Sequence, residues 1–334
     1  MINSIQYLRG IAALSVALFH LYPIFFNQTP NPLASGAAGV DIFFVISGFI
    51  MWHVAQSKEP TPFDFLSHRL VRVVPLYWTI TLVLAISATL KPNLFPLDNP
   101  SLIHIFKSML FVPHGASPEG RPLVSQGWTL NYEMLFYAFF SIALCLPRNS
   151  RSAALYSTFL TFAILGIAFK SNSYFFNWVT NSIILEFIFG IGVAQAYQNK
   201  RLVPRLPAYL FIGCSLSVIY LSDGAYPRVV VFGLPSAIIV WSMLSIERIG
   251  NLKPQRILLE LGSISYSLYL VHFMAGNFYL ISAAHIGLPI TGGLGYILAV
   301  LTAIFAAGIC HYVLERPLLN FFRNLIAKHS PTKH

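Results

Sequence analysis

The chain is 334 residues long, with 56% hydrophobic and only 10% charged residues, where an ordinary soluble domain carries roughly 25% charged. That balance excludes a soluble globular domain and points to an all-α, polytopic integral membrane helix bundle, folded as a single domain over residues 1–334 with a core at about 5–317 and a short C-terminal tail. The net charge of +10 does not point to nucleic acid, because the basic residues sit in short loops between apolar runs.

A membrane-spanning helix needs roughly 20 mostly apolar residues. Taken in order, the runs that qualify are 5–26, 38–56, 72–90, 128–146, 152–169, 179–197, 207–221, 228–246, 262–282 and 293–314, about ten transmembrane helices. The first of them ends in His20 and Pro23 and offers no small-x-small cleavage site, so it reads as a retained helix and not as a signal peptide. Leu102–Val112 is too short to cross and is expected at the interface or in a re-entrant turn. Of the 21 Lys and Arg residues, only Lys91, Lys107, Arg121, Lys170 and Arg228 fall on one side of this alternation. The positive-inside rule then places both termini in the cytoplasm, N-in and C-in.

The polar residues inside these spans carry the functional argument. Arg9 and His20 in "YLRGIAALSVALFH" are eleven residues apart, so on a helix they lie within about 20° of each other and are separated by roughly 16 Å of rise. Arg9 is a snorkelling anchor or a ligand contact at the cytoplasmic mouth. His20, in the outer half, is an interhelical hydrogen-bonding residue or a base. Asp41 in "GVDIFFVISGF" and Glu133 in "GWTLNYEMLFY" lie at comparable depth. Either carboxylate is expected to accept from one imidazole nitrogen of His20 and leave the other basic, although a buried structural pair is the bland alternative. On the cytoplasmic side, Arg69 and Arg72 in "HRLVRVVPLYW" share a helical face, and Arg316 in "VLERP" stands at the inner end of the last span. With Arg9 they make a basic mouth suited to phosphates. A donor with a phosphate head and a long thin arm fits such an arrangement, and coenzyme A thioesters have that shape.

Arg9 with His20, "GVDIFFVISGF", "HRLVRVVPLYW", "GWTLNYEMLFY", "GSISYSLYLVH" and "VLERP" occur in that order from Leu8 to Pro317. As a set they resemble the acyltransferase-3 family of multi-pass membrane acyltransferases, and the opening "IQYLRGIAALSVALFH" is most similar to the branch that acetylates bacterial exopolysaccharides. The resemblance implies ten core helices in the bacterial inner membrane. It also implies transfer of an acyl group, usually acetyl, from cytoplasmic acyl-CoA (acetyl-CoA) to an extracytoplasmic glycan hydroxyl. It gives His20 the catalytic role and links Arg9, Arg69 and Arg72 to acyl-CoA handling, while leaving the roles of Asp41, Ser47 and Glu133 open.

The expected partners are therefore acyl-CoA, a glycan or lipid-linked sugar, membrane lipids and polysaccharide synthesis or export machinery. Ser47, Tyr266 and Tyr269 are candidate donors to a developing oxyanion, with packing as the alternative for the tyrosines. Trp128 and Tyr132 are candidates to stack on sugar or to anchor at the interface. His272 is a secondary site candidate, and Glu186 is equally ambiguous. Cys145, Cys214 and Cys310 are far apart in apolar runs, and no HExxH-like pattern occurs, so neither a disulfide framework nor a metal is expected. A reading of a different class is a proton-coupled glycan or lipid exporter (a flippase), with His20, Asp41 and Glu133 as the relay. A third is a non-catalytic scaffold in an export complex.

Overall fold

The computed structural model describes residues 2–26, 31–90, 100–115, 120–169, 171–222, 224–250 and 252–329. Lys91, Lys170 and Lys333, counted in the charge asymmetry, lie outside these. The described residues form helices and connecting turns, with no strand among them. The helices are α1 (Asn3–Phe25), α2 (Gly39–Lys58), α3 (Pro62–Leu90), α4 (Leu102–Met109), α5 (Trp128–Leu144), α6 (Arg151–Ala168), α7 (Tyr174–Val179), α8 (Leu185–Gln198), α9 (Arg205–Leu221), α10 (Leu234–Arg248), α11 (Arg256–Ser263), α12 (Ser265–Ile286), α13 (Gly292–Cys310) and α14 (Arg316–His329).

Each of the ten expected spans overlaps helix, the one at 179–197 interrupted at Thr180 and Asn181. Eight helical stretches are long and apolar enough to cross a membrane, whereas α5 and α9 have 17 residues each, about 26 Å of rise against a hydrocarbon core of ~30 Å. Large apolar side chains clothe the outside of the bundle, with Ile167 79% and Phe305 71% exposed. Such a surface suits lipid and is unlike the patch-poor exterior of a soluble monomer. The protein is a multi-pass membrane protein.

Two boundaries differ from expectation. The third helix begins at Pro62, ten residues before the expected Arg72, because its start is set by a cap and not by hydropathy. Thr61 Oγ1 accepts from the Asp64 backbone N–H at 3.1 Å and donates to Asp64 Oδ2 at 2.8 Å, an N-cap followed by proline at the first helical position. Arg69 and Arg72 therefore lie inside a continuous helix. At the other end, helix continues to His329 where a short tail was expected, through a π-helical turn at His311–Glu315.

The helices approach one another closely where side chains are smallest. A Cβ on Gly48 would stand 2.0 Å from the Phe187 carbonyl oxygen, and one on Gly190 2.1 Å from that of Val45, so α2 and α8 meet backbone to backbone. Gly10 and Gly262 do the same for α1 and α11, one residue from Arg9. The first turn of α1 is fixed by Glu247 at the end of α10, whose carboxylate accepts from the backbone N–H groups of Asn3 and Ser4, each at 2.8 Å, and from Ser4 Oγ at 2.6 Å. Aromatic contacts fill the centre, with ring centroids 4.5 Å apart for Phe136–Phe187 and 4.7 Å for Phe44–Phe187.

Candidate active site

α1, α2, α3, α5 and α12 enclose a cavity of about 90 Å³. α2 supplies Val40, Phe43, Ser47 and Ile50 from one face. α5 supplies Thr129, Glu133 and Tyr137 at successive turns. α3 supplies Arg69 and Arg72, α12 supplies Tyr266 and Tyr269, and α1 supplies Arg9. Seven of the expected site residues thus meet in one place: Arg9, Ser47, Arg69, Arg72, Glu133, Tyr266 and Tyr269 line it, and the His272 ring lies beyond Tyr269, tilted 53° to it with centroids 6.2 Å apart.

The charge in this cavity is unbalanced. Glu133 is the one carboxylate among the described lining residues, and its Oε1 already accepts from Ser47 Oγ at 3.2 Å and from the Tyr137 hydroxyl. Arg9 makes only a long bond to Gln6 Oε1 at 3.4 Å, and the buried Nε of Arg69 has no hydrogen-bond partner. A buried N–H left unmade is costly, and three guanidinium groups lining the cavity with one engaged carboxylate, and with Glu315 acting on Arg9 from outside it, still favour an anion there. The three expected oxyanion donors have their single hydrogens directed elsewhere: Ser47 to Glu133, Tyr266 to the Val73 carbonyl at 2.8 Å and Tyr269 to the Gln126 carbonyl at 2.9 Å. Arg316 does not line the cavity; it is exposed at the start of α14.

His20 is paired differently from expectation. Its Nδ1 lies 3.1 Å from Nε2 of His272, with the two rings stacked 5° from parallel. Neither Glu133 nor Asp41 pairs with it: Glu133 is bound by Ser47 and Tyr137, and Asp41 by Arg228. His272 Nδ1 lies 3.1 Å from the Leu268 carbonyl. A carbonyl only accepts, so His272 carries its proton on Nδ1 and presents a bare Nε2. His20 must then donate through Nδ1, which leaves a lone pair on His20 Nε2. The carbonyl at Leu268 thus sets both tautomers and makes His20 the end of the pair whose lone pair is unshared. Arg9 lines the first cavity with Tyr266 and Tyr269 of α12, and His20 pairs with His272, three residues beyond Tyr269 on the same helix.

Asp41, fully buried, serves another element. Arg228 binds it through a two-point fork, Nε to Oδ1 at 3.0 Å and Nη2 to Oδ2 at 2.6 Å, and Nη2 also reaches the Ala37 carbonyl at 2.9 Å. Glu186 lies against the same pair. It is admitted by Gly233, where a Cβ would stand 2.8 Å from Glu186 Cγ. Arg228, read from the sequence only as a flanking charge at the start of the 228–246 span, precedes the π-helical turn Val229–Gly233, an irregularity often found at functional sites.

Arg228 also lines a second, larger cavity of about 620 Å³, together with Arg121, Trp128, Asn131, Tyr132, Tyr174, Asn177, Trp178 and Asn181. Trp128 and Tyr132, expected near sugar, lie here. This cavity shares no lining residue with the first. The beginning of α5 is the wall between them: Trp128, Asn131 and Tyr132 face one side, and Thr129, Leu130 and Glu133 the other. His20 lines neither, yet it lies near enough to Arg121 for that charge to act on it. The asparagines of "NWVTN" at 177–181 were legible as amides within an apolar run but drew no expectation.

Comparisons with known proteins agree with this picture. A family model of the acyltransferase domain of type 3 matches residues 2–313. The chain is 36% identical over 308 residues to the exopolysaccharide production protein ExoZ of Rhizobium meliloti (strain 1021), covering 88% of this chain and 92% of that protein. It is 25% identical over 373 aligned positions to the acyltransferase MdmB of Streptomyces mycarofaciens, covering 95% and 91% respectively. No solved structure matches the chain significantly.

Proposed function

The chain belongs to the acyltransferase-3 family, and on that premise we propose that it transfers an acetyl group from cytoplasmic acetyl-CoA to a hydroxyl of an exopolysaccharide or related glycan on the outer side of the bacterial inner membrane. In this reading it is one domain with ten spans and both termini inside. The name of its relative ExoZ suggests the acceptor class. The observation that carries the reading is the arginine-lined cavity, in which Arg9, Arg69 and Arg72 face a single engaged carboxylate.

The phosphates of the donor bind the three guanidinium groups. The cavity is too small for the whole cofactor, which suits a thin arm inside and a nucleotide at the mouth. Arg316, on the surface, has no part in the cavity itself. His20 Nε2 takes the proton of the sugar hydroxyl, and the alkoxide oxygen attacks the thioester carbonyl carbon. As the C–S bond breaks, the thiolate leaves and recovers the proton from His20, giving an acetyl ester and CoA thiol. His272 holds the ring and disperses the charge it gains. Asp41 has no part in the proton transfer; it holds Arg228.

The test uses labelled acetyl-CoA with membranes carrying wild-type protein or His20→Ala. Transfer to glycan falls by roughly 10²–10⁴-fold in the variant, the range for loss of a general base, while acetyl-CoA binding stays within about twofold. Undiminished transfer would remove His20 from the chemistry.

A further inference from the structure

Arg9, Arg69 and Arg72 are each part-exposed, so the cavity they line is reached from outside the bundle. α14 stands at that end of the bundle, packed on α3, the helix that carries Arg69 and Arg72. Its packed face carries Leu318, Phe322 and Ile326, four residues apart and half-buried. Arg316 and Arg323 are exposed. They are seven residues apart, so they lie within about 20° of each other, roughly a quarter-turn from the packed face. Phe321, 58% exposed, lies on the other flank. α14 is thus amphipathic, with one flank fit for lipid and the other basic.

The basic flank reaches the cavity. Arg323 lies near enough to Arg69 for its charge to act on it, alongside Tyr137, Arg72 and Glu133 from the cavity itself. Among the described residues neither Arg316 nor Arg323 forms an ion pair. The carboxylates on the neighbouring elements are engaged. Asp64 of α3 accepts from Thr61 Oγ1. Glu315, in the turn before α14, binds Ser267 Oγ at 2.6 Å and His311 Nδ1 at 2.8 Å. Glu260 of α11 accepts from the Tyr312 hydroxyl at 2.9 Å. Glu260 and Arg316 both act on Tyr312, so part of the Arg316 charge is offset there. Arg323 next to Arg69 costs Coulomb repulsion, and an anion with separated phosphate groups removes it.

We propose that Arg323 on α14 receives the 3′-phosphate of the donor nucleotide, while the diphosphate meets Arg69 and Arg72 at the mouth of the cavity. This assignment rests on the acyl-CoA reading above. The cavity of about 90 Å³ takes the thin arm, and α14 takes the charged end that the cavity is too small to hold. A guanidinium fork matches a terminal phosphate in shape and charge. Arg323 does not touch the reacting atoms, so it acts on donor binding and not on the chemical step.

The experiment measures binding of acetyl-CoA and of 3′-dephospho-acetyl-CoA to the full-length protein in nanodiscs of zwitterionic lipid, with no acceptor present. Wild-type protein binds acetyl-CoA roughly tenfold more tightly than the dephospho form, as expected for one charge-assisted contact. Arg323→Gln reduces that preference to less than about twofold, and its affinity for the dephospho form stays within about twofold of wild type, which also reports an intact cavity. Arg201→Gln, at an exposed arginine between α8 and α9, keeps the preference, and so does wild type in nanodiscs containing anionic lipid. Equal binding of the two forms by wild type, or a preference that survives Arg323→Gln, overturns the proposal. So does equal weakening of both forms by Arg323→Gln, or a preference lost in Arg201→Gln, which would make the effect one of bulk charge. A preference lost in anionic lipid overturns it too, because headgroups would then occupy the arginine. Failure of both forms to bind wild type would strike the acyl-CoA reading itself, whereas tight binding of both without preference strikes only the assignment of Arg323.

Discussion

The two cavities both carry arginines and hold them in different ways. In the smaller one, three arginines converge on apolar walls from α2, and the one carboxylate is occupied by hydroxyl donors. In the larger one, Arg228 is locked to a buried aspartate and surrounded by indoles and amides. Uncompensated guanidinium groups attract a multiply charged anion and tolerate variety in how it sits. A guanidinium fixed by a partner behind it reads shape and a single charge. How each arginine is held therefore says more than how many there are.

That contrast can be broken by substitutions that act on only one side. The largest effect is expected from Arg9→Ala/Arg72→Ala. Donor Kd rises by about 10–100-fold, from charged hydrogen bonds of ~1.5–3 kcal/mol, while the acceptor KM is unchanged; a shift in acceptor KM instead would mean that the cavities are not functionally separate. His272→Gln comes next. It keeps a polar side chain but loses the tautomer control that starts at Leu268, so kcat falls by roughly tenfold or more with both binding constants intact. Trp128→Ala should raise the acceptor KM by roughly 3–10-fold and leave donor binding alone. The smallest effect sharpens the frame that holds both sides: Glu247→Ala removes the carboxylate cap of α1, costing about 1–2 kcal/mol, read as a lower melting temperature of the purified protein with kcat nearly retained.

Much of the architecture was legible because lipid imposes length and polarity on every span. The alignment of Arg9 with His20 followed from helix period alone, and Arg9 lines a cavity with Tyr266 and Tyr269 while His20 pairs with His272. The partner of His20 was not legible. Asp41, Glu133 and His272 all lie at plausible depth, and only the packing of α12 against α1 selects the imidazole. The role of Arg228 was hidden for a related reason. A cation at the end of a span looks the same whether it obeys topology or pairs with a residue 187 positions earlier in the chain. The start of α3 was misplaced because hydropathy marks where lipid begins, whereas the Thr61–Asp64 cap marks where helix begins.

The wall at the beginning of α5 has a consequence for the cell that houses the protein. An enzyme drawing one reactant from each side of a bilayer could become a leak. Here the Thr129–Tyr269 contact at 2.9 Å and the Gln126 amide bound to the Leu270 carbonyl at 2.6 Å stand between the two chambers. In the reaction proposed above, a single small group would be handed across that barrier, with these hydrogen bonds closing the way to ions and water.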